Sequence, residues 1–127
     1  MEVLFTFRGK VKKGKSRGKF LGFPTANIAI HKRIPEGIYT SRLTIDGQSY
    51  LAATFIGSAK TFNEDEYKAE SYILDFNQNI YGKWITVRLF KKLRENKKFD
   101  SKQELISQMK QDILATGKFF NNKNKIA

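Results

Sequence analysis

"GIYTSRLTIDGQSYLAATFI", residues 37–56, decides the fold. Polar and apolar side chains alternate on both sides of Asp46-Gly47, and the flanks are rich in Ile, Tyr, Thr, Leu and Phe. Asp-Gly between two alternating β runs, within the link "DGQ", predicts an antiparallel hairpin. An antiparallel reading excludes the strand–helix alternation of a parallel sheet.

Further runs extend the pattern outward. "VLFTF" (3–7) alternates as a first strand, and "FPTANI" (23–28) is extended because Pro24 forbids a continuing helix and pushes Phe23 out of the helical region. "SYILDF" (71–76) is another strand, "NQNIYGK" (77–83) a turn and "WITVRLFKKL" (84–93) the last strand. Alternation puts Ile85, Val87 and Leu89 on one face of that strand and Trp84, Thr86 and Arg88 on the other. Only after Asp100 does the period change. Ser101 and Glu104 have capping-box spacing, Leu105, Met109 and Ile113 recur every fourth residue, and Ile106 and Phe120 widen the stripe. Gly117 weakens the last turn. The expected fold is mainly β: a small antiparallel, Greek-key-like closed β-barrel with one C-terminal α-helix packed on it. Residues 1–120 form one domain in this reading, and 121–127 a polar, frayed tail.

Composition bounds the function. The 127 residues suffice for one core and contain no Cys, which excludes disulfide frameworks and thiolate metal sites. "MEVLFTFRGK" is too short and too alternating for a signal peptide, and no apolar run reaches membrane-spanning length. A cytoplasmic protein with no membrane partner is expected. The net charge of +12 attracts polyanions in general and singles out none.

One motif misleads. "GKVKKGKS" (9–16) spells the phosphate-cradling pattern G-x-x-x-x-G-K-[ST]. A P-loop must open a helix, whereas "RGKFLGFPTANI" follows, with Gly18, Gly22 and Pro24 where the helix should start. The Walker reading fails on context. The spaced glycines Gly9, Gly14, Gly18 and Gly22 still let backbone amides approach an anion, with Lys15, Arg17 and Lys19 close by in sequence.

Beside that loop, "GFPTAN" (22–27) is the point where the chain resembles the riboflavin kinases, which also occur as the flavokinase module of bifunctional FAD synthetases. The likeness continues through "PEGIYT", "AESYILDF", "NIYGK" and "KLRENKKFDS", in order and with matching spacing, from about Gly9 to Phe120. It departs at "FIGSAKTF", where many bacterial members carry N-I-G-x-x-P-T-F on the nucleotide-side wall; here Phe55 and Lys60 replace Asn and Pro.

The resemblance implies ATP-dependent phosphorylation of the riboflavin 5′-hydroxyl to give FMN, with Mg²⁺ accompanying ATP. By resemblance, Thr25 and Asn27 hold the metal and the phosphates, helped by Gly14, Gly18, Lys19 and Gly22. The residue types suit that role, since both offer hard oxygens and Asn27 can also donate to phosphate. Their i, i+2 spacing puts them on one face of an extended segment. Glu70 is implied as the base and shares a face by alternation with Tyr72, Leu74 and Phe76; Asp75 lies on the opposite face. Arg94 and Phe99 fall in the segment that covers the flavin in relatives, Lys97 and Lys98 read as solvated charges, and Tyr81 packs near the adenine or is a core aromatic. His31, the only histidine, receives no role. A monomer is expected, with riboflavin and ATP as substrates and FAD formation left to a separate adenylyltransferase. Two alternatives stay open: a flavin-binding relative without catalysis, and a basic β-barrel that binds single-stranded nucleic acid. The second would need aromatics interleaved with Lys and Arg on an exposed strand face. Trp84, Arg88 and Phe90 supply this on one strand only, so nucleic acid is not the expected partner.

Overall fold

The computed structural model describes residues 1–13, 24–58 and 66–126, with side chains as far as Asn121. Among the described residues six strands precede one helix: β1 (Phe5–Lys10), β2 (Thr25–Ala29), β3 (Gly37–Ile45), β4 (Gln48–Gly57), β5 (Lys68–Ile73), β6 (Trp84–Arg94) and α1 (Lys102–Ile126). The Asp-Gly hairpin forms as its chemistry dictates. Ile45 pairs with Gln48, while Asp46 (φ 50°) and Gly47 (φ 78°) both take left-handed conformations.

All pairings are antiparallel, in the order β1-β6-β3-β4-β5-β2. The first two strands therefore end up at opposite edges of one sheet, which curls into a half-barrel. Its concave side holds the main core, including Phe7, Ile28, Leu43, Ile56, Ile73 and Val87. A short polar chain crosses the sheet: Ser41 Oγ lies 2.6 Å from Thr54 Oγ1, Thr54 Oγ1 2.7 Å from Ser71 Oγ, and Ser41 donates to the Ala52 carbonyl at 2.7 Å. Each buried hydroxyl is thereby satisfied.

Helix α1 covers part of the convex side. Leu105, Met109 and Ile113 lie against Ile38, Ala53, Phe55 and Tyr72, as the four-residue stripe predicts. Phe120 is buried edge-on against Phe90, with ring centroids 5.5 Å apart. The N-terminal cap forms with one change: the Glu104 amide donates to Ser101 Oγ at 3.1 Å, but the Glu104 carboxylate reaches back to the Asp100 amide at 3.3 Å.

The sequence reading needs two corrections. Phe76 does not share a face with Glu70. Strand β5 ends at Ile73, and Asp75 (φ 52°) turns the chain, so Phe76 enters the interior and packs on Tyr50. The helix passes Gly117 and runs to Ile126 through the segment read as a frayed tail; one glycine costs only about 1 kcal/mol, and no proline follows it. The described strands form a half-barrel, and closure into the expected barrel is not shown. Among the described residues the two edges meet at a single bridge, where the Lys12 amide donates to the Asn27 carbonyl at 2.8 Å. Among the described residues no helix is long and apolar enough to cross a membrane.

Candidate functional site

Strand register assembles the site. On the β2–β5 pair, Asn27 stands directly opposite Glu70 and Thr25 opposite Tyr72. Period-two alternation then puts Thr25, Asn27, Glu70 and Tyr72 on one face, the side on which α1 packs. Directly cross-strand residues have Cβ atoms about 5 Å apart, so the amide and the carboxylate address the same small volume. The acid points toward the helix side and not into the half-barrel.

Glu70 is 1% exposed, and it is buried with specific neighbours. The Tyr72 hydroxyl donates to its Oε1 at 2.8 Å, and Lys68 Nζ stands 3.8 Å from Oε2. On the other side of β5, Phe55 pairs opposite Glu70 and supplies an apolar wall. Phe55 is one of the residues by which "FIGSAKTF" departs from the related pattern, so the departure falls beside the carboxylate. The remainder of that segment from Ala59 onward lies outside the described residues.

Asn27 is 5% exposed, and neither its Nδ2 nor its Oδ1 has a hydrogen-bond partner among the described residues. A buried amide is costly without partners, so an orphaned one marks a place where another polar group belongs. It faces a cavity of about 240 Å³ whose wall also includes Lys12, Lys13, Glu66 and Lys68. Lys12 and Lys13 beside a neutral amide suit an anion, while the Lys68 ammonium lies toward Glu70. Thr25, half-buried at the start of β2, adds a hydroxyl oxygen on the same face. Thr25 and Asn27 therefore fit a hard cation such as Mg²⁺, which takes one or two protein oxygens and shares the rest with water and phosphate. Among the described residues no group of three His, Cys, Asp or Glu side chains could hold a metal by itself.

Other sequence candidates fall elsewhere. Gly14, Gly18, Lys19 and Gly22 lie outside the described residues. Tyr81 is 47% exposed in the turn before β6, where its amide bonds Asn79 Oδ1 at 3.1 Å, so it is not a core aromatic and does not line the Asn27 cavity. Arg94 ends β6 with its donors engaged. Nε lies 3.0 Å from Asp112 Oδ1, NH2 donates to Oδ2 at 2.8 Å, and NH1 donates to the Glu95 carbonyl at 3.1 Å. Its guanidinium also stands 5.6 Å from the Phe99 ring centre, with Lys97 on the same ring at 4.9 Å. Arg94 thus fastens the β6–α1 loop to the helix and sets Phe99, which is buried. Asn96 pins the same loop by donating to the Glu36 carboxylate and, at 3.0 Å, to the Ser58 carbonyl.

Sequence reading missed Tyr72 as the partner of Glu70, and missed Lys68, Lys12 and Lys13 altogether. A signal existed: Lys68, Glu70 and Tyr72 alternate on one strand, which places all three side chains on one face.

Comparison with known proteins identifies the family. The family model "Flavokinase: Riboflavin kinase" matches residues 1–120. A "Trifunctional protein RibF/MnmA" of Mycoplasmoides gallisepticum is 38% identical over 124 residues, covering 95% of this chain and 19% of that protein. The "RNA-binding riboflavin kinase RibR" of Bacillus subtilis is 38% identical over 115 residues, covering 88% of this chain and 50% of that protein. The chain therefore spans between a fifth and a half of the length of these relatives. Among solved structures, a riboflavin kinase from Trypanosoma brucei superposes with TM-score 0.62 at 26% identity, covering 91% of this chain and 76% of that one. With the family model spanning all but the last few residues, the chain belongs to the riboflavin kinase family.

Proposed function

We propose that this chain transfers the γ-phosphoryl group of ATP to the ribityl 5′-hydroxyl of riboflavin, giving FMN and ADP, with residues 1–120 as the working domain. The observation that carries the reading is the register match of Asn27 and Glu70, both buried and facing the same volume. Phosphoryl transfer is mostly positioning and charge stabilisation, and these residues divide that work. Asn27 and Thr25 orient the phosphate end, and Lys12 and Lys13 offset its negative charge. Mg²⁺, bound with ATP, would supply further neutralisation of the phosphate oxygens.

Glu70 takes the hydroxyl proton as the ribityl oxygen attacks phosphorus and the bond to the ADP oxygen breaks. Tyr72 donates to Oε1 and so holds the carboxylate in place. Arg94 and Phe99 serve the flavin side, Arg94 by fixing the loop that carries Phe99. Tyr81 and the glycine-rich segment with Gly14, Gly18, Lys19 and Gly22 belong to the nucleotide side in this proposal. The enzyme is read as a cytoplasmic monomer.

Purified protein incubated with riboflavin, ATP and Mg²⁺ should yield FMN by chromatography. Glu70→Gln should lower turnover by about 10²–10⁴-fold, the range for loss of a positioned base. Unchanged turnover in that variant would remove Glu70 from the mechanism.

A further inference from the structure

Strand β6 is flanked by β1 and β3, and the three build a surface that β6 alone does not. On the outward rows, Lys10 pairs with Trp84, Arg8 with Thr86 and Thr6 with Arg88, while Arg88 and Thr86 pair on their other side with Arg42 and Thr44. Four cations, one indole and three threonines thus occupy adjoining positions, and no residue in these rows is acidic.

Two features distinguish this face. Arg42 and Arg88 sit directly cross-strand, a like-charge arrangement that is unfavourable. Neither finds a carboxylate among the described residues: Arg88 bonds Thr44 Oγ1 at 3.2 Å, while Arg42 reaches Ser49 Oγ at 3.5 Å and lies 5.1 Å from the ring centre of Phe120. Trp84, the only tryptophan, is 54% exposed, with the Arg8 guanidinium 4.9 Å from its ring centre. Beside Arg8 the face runs into an open groove of about 420 Å³ whose lining includes Lys32 and His31.

Arginines without a carboxylate partner would be matched by anions, and an exposed indole would be covered by a flat π surface. One class of ligand carries both, repeated along a chain. We propose that the outer face of β1, β6 and β3 binds single-stranded nucleic acid, with phosphates on Arg8, Lys10, Arg42 and Arg88 and a base stacked on Trp84. The face is separate from Asn27 and Glu70, which lie on β2 and β5, so the proposal is independent of the phosphotransfer assignment.

The test uses the full chain and a labelled oligouridylate of about 16 nucleotides, within the span of one small β-barrel. Binding should quench the fluorescence of Trp84. Its affinity should fall with a log–log salt slope of about −3, as expected for four cations on a single strand. Trp84→Ala should weaken binding about tenfold by anisotropy, within the range for loss of one stacked base. Arg42→Gln with Arg88→Gln should halve the salt slope, and Arg8→Gln should weaken binding without disturbing an interior residue. All variants should form FMN at the parent rate. The proposal is overturned by absent binding at low salt, by equal binding of Trp84→Ala, or by polyglutamate competing as well as the oligonucleotide, since the last would reduce the face to general charge attraction.

Discussion

Arg94→Met and Asp112→Asn should destabilise the protein unequally, and the inequality follows from what each change strands. The pair is bidentate, with Arg94 side-chain exposure of 19% and Asp112 of 7%. Arg94→Met leaves a buried carboxylate whose remaining side-chain donor is Gln108 at 3.1 Å. Breaking a buried ion pair by removing one partner costs about 3–5 kcal/mol, and the partial exposure of Arg94 argues for the low end. At about 4 °C per kcal/mol for a chain of this size, 3 kcal/mol lowers Tm by roughly 12 °C. Asp112→Asn keeps the shape, and the guanidinium it leaves can reach water and the Glu95 carbonyl, so about half that loss is expected. Arg94→Met with Asp112→Leu removes both charges and should recover most of the stability. Thermal melts of the parent and the three variants read these differences, and riboflavin KM is measured on the same proteins. If Arg94→Met leaves Tm unchanged but raises KM far more than Asp112→Asn does, Arg94 binds flavin directly, and its assignment as a strut between β6 and α1 is wrong.

Three other outcomes are expected. Asn27→Leu replaces an orphaned buried amide with an apolar group of similar size; it should raise stability by about 1 kcal/mol in urea titration while abolishing FMN formation. Gly47→Ala should cost about 1 kcal/mol by the same titration, all of it backbone strain, because φ is +78° and no heavy atom lies within 4 Å of the added Cβ. Alkaline stability should fall once pH passes about 10. Burial raises the pKa of both Tyr39 and Tyr67 above the ordinary 10.0, so beyond that pH the unfolded chain gives up protons that the folded one retains. Urea midpoints followed alongside phenolate absorbance should show the decline, and Tyr39→Phe should flatten it.

The hairpin was legible because its information is local. Asp46 and Gly47 can be read without knowing what else the chain does, and the α1 stripe is equally self-contained. Phe76 shows where locality fails. Period-two counting assumes that the strand continues, and one left-handed residue at Asp75 ends the count. Closure is illegible for a different reason. Whether two edges of a sheet meet depends on the summed curl of six strands, and no short window of sequence holds that sum.

The site depended on register between strands far apart in the chain. Thr25 and Asn27 were identifiable from "GFPTAN", and Glu70 from its strand, but nothing local to either says that Asn27 faces Glu70 and not Ala69 or Ser71. A slip of one residue would put Glu70 opposite Ala26 or Ile28, whose side chains point into the core, and would leave the amide and the acid on opposite faces. Apolar burial excludes that slip: Ala26, Ile28, Ala69 and Ile73 are each at most 2% exposed on the concave side, and a shift would bring Asn27 and Glu70 into that core in their place. The packing of residues with no part in the chemistry therefore fixes which polar groups meet. The same rule governs the opposite edge of the sheet, where Phe7, Val87 and Leu43 pack inward and so force Arg88 and Arg42 to lie side by side outside.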